Sequence, residues 1–392
     1  MSLSDKPFDI VVFGASGYTG RLVAEYLASE YAGSDLKWAM AGRSLDKLAA
    51  VRAEMGISDA VELLAVDVDN PDSVTKMVEA CRVVITTVGP YQLYGDELVK
   101  QCAERGTDYV DLTGEPSWMH ETIAQYSSAA KASGARIVHS CGFDSIPFDL
   151  GVYRLQQHAI AKTGQPIGTV KGRVRAMNGT FSGGTIASMR ATMASAKANP
   201  AIIQVLTNPF ALTEGFTGPK QPAGLAPQYD EELQSWSAPF IMAPINTKNI
   251  HRSNFLLGHQ YGKDFRYDEM LLTGDGDQGK AEADYVANDD SVAKSDLQPG
   301  EGPTKEEREN GNYDSIFAGD SSDGELMISS VQGDRDPGYG STSKMLAEAA
   351  MCLLVNPDLA SGGLWTPAAA MGDALMARLQ DHAGLTFQIE KG

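Results

Sequence analysis

The sequence predicts an α/β protein, with an N-terminal doubly wound parallel sheet followed by a second, α+β unit that carries a mainly antiparallel sheet. A glycine-rich turn at residues 14–20 joins a first apolar strand to a first helical pattern, as at the start of many parallel sheets. Apolar runs and helical stretches then alternate as far as residue 139, which indicates successive βαβ units. From about Gly168 apolar and polar residues alternate, which is typical of half-exposed antiparallel strands.

Six parallel strands are expected in the first part of the chain. Their nearly continuous apolar runs suit strands that are buried on both faces. They lie at residues 8–13, 36–41, 61–66, 82–88, 109–112 and 135–139. Helices are expected between them, and the helix before the fourth strand begins with the capping residue Asn70 and with Pro71.

The second part is expected to hold a strand at 169–177, a helix at 186–198 and a strand at 324–331. Residues 274–323 are rich in Asp, Glu, Gly and Asn, and we expect long surface loops there, not a calcium site. Two helices and a last strand at 385–389 follow. The predicted units are 1–150, 151–336 for substrate binding or dimerisation, and 337–392, which packs back on the first unit or on the seam.

The glycine-rich turn predicts a nucleotide site, because backbone N–H groups and a helix N-terminus can approach a diphosphate there. The residues expected to line it are Gly14, Ala15, Ser16, Gly17, Tyr18, Thr19 and Gly20. Arg43 and Ser44 follow the second strand, where an NAD-specific Rossmann domain usually presents a carboxylate. A guanidinium can bind a 2′-phosphate instead, so NADP(H) is the expected cofactor, with Ser44 also as the N-cap of the next helix.

Further site residues are expected at the carboxyl ends of the strands, where ligands of such sheets bind. After the third strand, Asp67 and Val68 are candidates for contact with the adenine, although Asp67 is an equally good helix cap. After the fourth strand, Val88, Gly89 and Pro90 are expected beside the ribose or the nicotinamide. After the sixth strand, residues 140–147 place a carboxylate and hydroxyls where the nicotinamide should point.

The composition excludes several classes of partner. A formal net charge of −19 over 392 residues disfavours binding to nucleic acid or to anionic lipid. No apolar run is long enough to span a bilayer, and the polar N-terminus does not have the pattern of a secretion signal. Four scattered cysteines and six dispersed histidines show no metal-ligand spacing. We therefore expect a cytoplasmic protein without a metal site.

Five motifs of the chain occur together: VVFGASGYTG at 11–20, AGRS at 41–44, VGPY at 88–91, YVDLTGE at 109–115 and CGFDSIP at 141–147. Together they resemble the saccharopine dehydrogenase-like oxidoreductases, most closely the branch that contains the mycobacterial trans-acting enoyl reductases. DPGY at 336–339 and GLWTPA at 363–368 are similar to C-terminal motifs of that branch, so the resemblance covers essentially the whole chain. It implies an NADP-linked oxidoreductase and, in that branch, a polyketide-derived acyl substrate that is destined for surface lipids.

The leading hypothesis is hydride transfer from NADPH to the β-carbon of an enoyl group. Candidate hydrogen-bond or proton donors are Tyr91, Tyr94, Asp144 and Ser145. Capping of the helix that begins at Pro147 is an equally good role for Asp144. The alternatives are a saccharopine dehydrogenase-like imine or carbonyl reductase of amino-acid metabolism and a non-catalytic NADP-binding scaffold or sensor.

The sequence offers two kinds of substrate contact in the second part. A carboxylate clamp would use arginines, although solvent-facing positions are favoured for Arg173, Arg175, Arg190, Arg252 and Arg266. An acyl chain would need an apolar wall, although core packing is favoured for Phe181, Ile186, Met189, Met193, Ile202, Ile203 and Phe210. A homodimer formed through the second sheet and weak membrane association through an apolar groove are both compatible with the sequence.

Overall fold

The computed structural model describes residues 6–180, 182–298 and 300–392, and their strands form two seven-stranded sheets. The first sheet is parallel throughout, as predicted. Its strands are β1 (Phe8–Phe13), β2 (Trp38–Gly42), β3 (Glu62–Ala65), β4 (Cys81–Thr86), β5 (Asp108–Val110), β6 (Arg136–Val138) and β13 (Gly363–Trp365). Six helices lie between the first six strands: α1 (Tyr18–Glu30), α2 (Leu45–Glu54), α3 (Pro71–Ala80), α4 (Tyr91–Tyr94), α5 (Asp96–Arg105) and α6 (Pro116–Ser133).

The strand order of the first sheet fixes where a ligand can bind. From one edge to the other the order is β13, β6, β5, β4, β1, β2, β3. The chain leaves β1 toward β2 on one side and later returns to β4 on the other, so the connections diverge between β1 and β4. This divergence opens a crevice at the carboxyl ends of the two central strands, which is where ligands of doubly wound sheets bind.

The first sheet has one strand more than the six that were predicted. The extra strand, β13, pairs with β6 in parallel, with Leu364 opposite Ile137. It is only three residues long and lies far along the chain, so no local repeat links it to the other strands.

The second sheet is mainly antiparallel, as predicted, and only β7 and β10 pair in parallel. Its order is β14, β12, β11, β7, β10, β9, β8. The strands are β7 (Thr169–Asn178), β8 (Gln228–Asp230), β9 (Ser235–Pro239), β10 (Arg266–Gly274), β11 (Asn312–Asp320), β12 (Leu326–Gly333) and β14 (Leu385–Lys391).

Helices connect the two sheets. α14 (Thr342–Val355) packs on β4 and β5, α7 (Ile146–Thr163) packs on β11 and β12, and α15 (Pro367–His382) contacts both helices. The last part of the chain thus contributes to both sheets, since it supplies β13 to the first and β14 to the second. The division of the chain at residues 150 and 336 stays a prediction.

The prediction of long surface loops at 274–323 was wrong for much of that stretch. It contains α11 (Gly276–Asn288), α12 (Ser291–Lys294), α13 (Lys305–Asn310) and the interior strand β11. β11 lies between β7 and β12 and buries Ile316 and Phe317. A short apolar core inside an acidic segment is enough for a strand that is paired on both sides, because its neighbours supply the rest of the burial.

The remaining helices lie beside the second sheet and are α8 (Gly183–Ala198), α9 (Pro200–Thr207) and α10 (Ala243–Leu256). None of the helices that the structure describes combines the length and the apolar character of a bilayer-spanning segment.

Candidate active site

The glycine-rich turn between β1 and α1 forms one side of the site. Gly17 donates its N–H to the carbonyl of Gly14 at 2.8 Å, which closes the turn immediately before α1. Gly17 is the N-cap of α1 and has no side chain to bond the first N–H groups of the helix. These N–H groups at the start of α1 therefore face the crevice as donors for an anion.

The glycine spacing of this turn follows from two close approaches of the backbone. Gly14 has a φ of 90°, and a Cβ there would lie 2.7 Å from Oγ1 of Thr87 in the loop after β4. A Cβ at Gly20 would lie 2.2 Å from the carbonyl oxygen of Gly14. Neither position accepts a larger residue without moving backbone, so the cradle for a diphosphate is built into the chain. The residues present fit a dinucleotide.

Arg43 and Ser44, the residues predicted to bind the 2′-phosphate, follow directly after β2. Arg43 is exposed, and no ion pair holds it within the described ranges. The hydroxyl of Ser44 accepts the N–H of Lys47 at 3.3 Å, which confirms Ser44 as the N-cap of α2. Contact of either residue with a nucleotide stays a prediction.

The structure of the loop after β3 shows which residue caps α3. Asn70, and not Asp67, caps α3, because the side chain of Asn70 accepts the N–H of Ser73 at 3.3 Å. Asp67 instead accepts the N–H of Asp69 at 3.1 Å within a tight turn. Contact of Asp67 and Val68 with the adenine stays a prediction.

A cavity of about 440 Å³ adjoins the glycine-rich turn. It reaches from Thr19 and Gly89 at the first sheet to α8 and the start of α10 at the second. Its apolar lining includes Met177, Met189, Met193, Leu206, Phe240, Ile241, Met242, Ile245 and Pro337. No arginine or lysine belongs to the described lining.

Two of the seven apolar residues considered for contact with an acyl chain lie in the cavity lining. Met189 and Met193 line the cavity, and Met193 is 58% exposed at its rim. Ile186 is fully buried, and Ile202, Ile203 and Phe210 are outside the lining. Phe181 lies outside the described residues.

Asp144 is one of two acidic residues in the described lining of this cavity, and Glu115 is the other. The side chain of Asp144 is partly exposed to the cavity, and Oδ2 lies against Gly114, where a Cβ would be only 3.2 Å away. The surrounding protein raises the pKa of Asp144 to about 7 by withholding water from the charged form. The alternative role as a helix cap was wrong, because Ser145 occupies the N-cap position of α7 and neither side chain caps it.

The loop that carries Asp144 is fixed from the C-terminal part of the chain. Phe143 donates its N–H to Oγ1 of Thr342 at 2.9 Å, and that hydroxyl donates to the carbonyl of Pro337 at 2.8 Å. This chain of bonds couples the loop after β6 to a π-helical turn at Pro337–Ser341. Such turns are frequent at functional sites.

The other three candidate donors are hydrogen-bonded within the fold or lie outside the lining. Tyr91 lines the cavity, and its hydroxyl donates to the carbonyl of Thr86 at 3.1 Å. Ser145 is fully buried, outside the lining, and its hydroxyl accepts the amide N–H of Asn249 at 2.6 Å. Tyr94 is 44% exposed and also lies outside the lining. Tyr91 and Asp144 are the two candidate donors that line the cavity, and a catalytic role for any of the four residues stays a prediction.

Glu115 accepts hydrogen bonds from the backbone N–H groups at the N-terminus of α4. Its carboxylate accepts the N–H groups of Tyr91 at 2.9 Å and Gln92 at 2.8 Å, and the hydroxyl of Ser188 at 2.9 Å. Glu115 is buried at the cavity wall and joins the loop after β5 to α8. Its role is positional, since its oxygens are occupied. The preceding Gly89–Pro90 peptide bond is cis.

Tyr339 is a cavity residue that the sequence analysis did not select. Its hydroxyl accepts the N–H of Ser182 at 2.5 Å and lies 2.8 Å from Oγ1 of Thr185. Burial raises the pKa of Tyr339, and the negative charge of Asp144 acts in the same direction. The DPGY motif was the available signal, but nothing in its local sequence places it beside the first sheet.

The arginines of the second part do not form a carboxylate clamp in the cavity. Arg173 is buried, contrary to the solvent-facing position that was favoured, and pairs with Asp268 at 3.0 Å. Arg175 pairs with Asp314 and Glu390. Arg252 is buried and donates to the carbonyl of Leu364 at 2.8 Å. The guanidinium groups of these three arginines form ion pairs or hydrogen bonds within the fold.

The part of the chain that the structure describes contains no group of three His, Cys, Asp or Glu side chains arranged to hold a metal ion. All four cysteines are buried and unpaired.

Comparison with known proteins finds a matching family model, similar sequences and a solved structure with the same fold. Residues 10–138 match the family model of the saccharopine dehydrogenase NADP-binding domain. A Mycobacterium tuberculosis protein provisionally named a trans-acting enoyl reductase is 39% identical over 416 residues, with 99% of each chain covered. A trans-acting enoyl reductase of Mycobacterium bovis is 34% identical, with 97% of each chain covered. The apo saccharopine dehydrogenase (L-Glu forming) of Saccharomyces cerevisiae shares the fold, with a TM-score of 0.54 at 12% identity, covering 98% of this chain and 100% of its own.

Proposed function

Because the chain belongs to the saccharopine dehydrogenase-like family, in its branch of trans-acting enoyl reductases, we propose that it reduces the carbon–carbon double bond of an unsaturated acyl substrate. That it is an NADP-dependent oxidoreductase follows from its family. The proposal concerns the bond that is reduced and the class of substrate.

The observation that carries the proposal is the lining of the cavity. An amino-acid adduct with several carboxylates needs convergent arginines, and the described lining has none. An acyl chain needs apolar surface, and most of the wall is apolar, with methionine, leucine, isoleucine, phenylalanine and proline side chains among its residues. The cavity therefore favours an acyl substrate over an amino-acid adduct.

The methionines narrow the substrate class further. Met177, Met189, Met193 and Met242 line the same cavity. Methionine is flexible and polarizable, and it adapts to irregular apolar shapes better than branched residues do. The lining thus suits branched or variable acyl chains, such as polyketide and lipid precursors.

When NADPH is bound, it supplies the hydride that the β-carbon of the acyl group receives. Asp144 is the group in the cavity that can supply the accompanying proton to the α-carbon, because with a pKa of about 7 it is partly protonated at neutral pH. The bond between Thr342 and Phe143 holds its loop in place. The mainly apolar wall limits the water around the reacting carbons.

A panel of acceptors tests the proposal. Purified protein would be given NADPH with crotonyl and branched medium-chain enoyl thioesters, and separately with 2-oxo acids plus amines and with simple ketones. We expect NADPH oxidation and a saturated thioester, identified by mass spectrometry, only with the enoyl series. Reduction of the carbonyl or imine acceptors alone would overturn the enoyl assignment, and tight NADPH binding without any turnover would favour the scaffold.

The Gly20→Ala variant is the control for this panel. A methyl group 2.2 Å from the carbonyl oxygen of Gly14 must distort the glycine-rich turn. Activity that survives in this variant unchanged would not come from the site described above.

A further inference from the structure

A segment from the second sheet's connections lies directly on the glycine-rich turn. The hydroxyl of Tyr18 donates to the carbonyl of Pro303, and a Cβ at Gly302 would lie 2.6 Å from the Tyr18 ring. The ring of Tyr18 also meets the ring of Tyr339 edge to face, with centroids 5.1 Å apart. Tyr18 therefore joins the nucleotide turn to residues 302–303 and to the π-helical turn.

Arg308 is the charged residue that reaches this contact. Its Nη1 donates to the hydroxyl of Tyr18 at 3.0 Å and to the carbonyl of Pro303 at 2.8 Å. Its guanidinium carbon lies 5.8 Å from the centre of the Tyr18 ring. A cation is thus fixed against a side chain of the glycine-rich turn from outside the parallel sheet.

The other charged residues of α13 are directed elsewhere. Lys305 lies 3.8 Å from Glu309 in an ion pair, and Glu307 accepts the N–H of Thr304 in a capping box. The nearby carboxylate of Asp336 accepts the N–H groups of Tyr339 and Gly340. Among the described residues of α13, Arg308 makes the hydrogen bond to Tyr18 of the turn.

The guanidinium of Arg308 has hydrogen-bond donors that bind nothing within the described ranges. No carboxylate in the described ranges lies within ion-pair distance of Arg308, and its hydrogen bonds there are made by Nη1 alone. Nε and Nη2 remain as a pair of donors on one edge of the guanidinium. A planar pair of this kind is suited to two oxygens of a phosphate.

We propose that Arg308 binds the diphosphate of the dinucleotide, with Tyr18 as the residue that positions its guanidinium. In a chain with a net charge of −19, an anionic cofactor gains from a cation placed beside the N-terminus of α1. Arg43 faces the 2′-phosphate in the expected arrangement, so the two arginines serve different parts of the same ligand. The inference concerns cofactor binding and does not depend on the acyl substrate.

Calorimetric titration of four proteins with NADPH and with NADH tests this division of roles. Arg308→Gln should weaken the binding of both nucleotides by the same factor, about 10- to 100-fold, because both carry the diphosphate. Arg43→Gln should weaken NADPH and spare NADH. Lys305→Gln, which removes the same charge from the same helix without touching Tyr18, should bind like the wild type.

Unchanged affinities in Arg308→Gln, or a loss no larger than in Lys305→Gln, would overturn the proposal. A loss confined to NADPH would also overturn it, since that would place Arg308 at the 2′-phosphate. Should Arg308→Gln fail to fold, Arg308→Lys carries the test: it retains the charge but not the paired donors, so both affinities should fall together by a smaller factor. Wild-type binding in that variant would contradict the paired contact.

Discussion

At the scale of single residues, the proposed chemistry of the site rests on Asp144. Surrounded by protein and with no hydrogen-bond donor to its carboxylate among the described residues, it is more easily protonated than an ordinary aspartate. Its neighbours Tyr91 and Ser145 have their hydroxyls committed to the fold. A carboxyl group with a pKa of about 7 is partly protonated at neutral pH and can act as a proton donor.

We predict that kcat/KM for enoyl reduction falls as the pH rises through about 7, because the fraction of Asp144 that carries a proton decreases. Asp144→Asn should lower kcat about 100-fold and remove this pH dependence. The dissociation constant for NADPH should stay the same, since the cofactor contacts lie elsewhere. The measurements are a pH–rate profile and a calorimetric titration.

Asp358→Asn, at an exposed position, is the control variant and should retain the wild-type profile. A wild-type rate with an unchanged profile in Asp144→Asn would remove Asp144 from the reaction. Loss of NADPH binding in that variant would instead indicate a role in shaping the cofactor site.

At the scale of elements, one close contact fixes how α7 lies on the second sheet. A Cβ at Gly151 would lie 2.0 Å from Cε2 of Phe317, a fully buried ring on β11. Alanine is normally the better residue inside a helix, by about 1 kcal/mol. Here the missing side chain lets helix and sheet approach.

We predict that Gly151→Ala lowers the free energy of unfolding by about 1–3 kcal/mol, because the added methyl group overpacks the contact with Phe317. Gly184→Ala in the first turn of α8 is the matched control. A Cβ at Gly184 meets only Oγ of Ser182 at 3.5 Å, so stability should be unchanged or slightly raised. Urea denaturation of both variants measures the difference, and equal midpoints would contradict the close packing of α7 on β11.

One prediction from local composition was wrong at the scale of elements. Acidic composition at 274–323 predicted loops, yet β11 is an interior strand of the second sheet. The cause is that burial of Ile316 and Phe317 depends on partners far away in sequence. The helix caps at Ser44 and Asn70 were predicted correctly, because capping is decided within four residues.

At the scale of the whole molecule, buried carboxyl groups join distant elements. Asp149 on α7 accepts the hydroxyl of Ser253 at 2.6 Å and the N–H of Ala368 at 2.8 Å, which ties α7 to α10 and α15. Glu269 on β10 accepts the amide N–H of Asn246 on α10 at 2.7 Å, which ties this strand to α10. Burial raises the pKa of Asp149 to about 7 and that of Glu269 to about 8.

We predict that the nucleotide-free protein is less stable at about pH 8.5 than at about pH 6, on the order of a few kcal/mol. Because both pKa values are higher in the folded state, the folded protein holds protons that the unfolded chain releases. The resulting stabilisation is complete below about pH 4 and is lost as the pH rises through 7 to 8. Urea midpoints at the two pH values measure it.

Glu269→Gln is the informative variant, since it removes the titrating group with the larger shift. Its urea midpoint should depend less on pH than that of the wild type. A wild-type midpoint that rises between the two pH values would show that other groups dominate the linkage.

Assembly belongs to the same scale and stays a prediction. A homodimer through the second sheet and weak membrane association at the cavity rim are compatible with the exposed apolar residues Met177, Met193 and Ile241.

The sequence by itself determined the parallel sheet, the glycine-rich turn and the preference for NADP(H). Each depends on neighbouring residues: apolar runs make buried strands, the positive φ at position 14 favours glycine, and a Cβ at position 20 would meet the backbone of Gly14. Tertiary structure alone decided that Thr342 bonds to the loop of Asp144, that Tyr339 lines the same cavity, that Arg308 reaches Tyr18, and that the hydroxyl of Ser145 bonds to Asn249 outside the lining. These contacts join residues that are far apart in the chain. Periodicity and capping act over a few residues, so no local pattern records which side chains folding brings together.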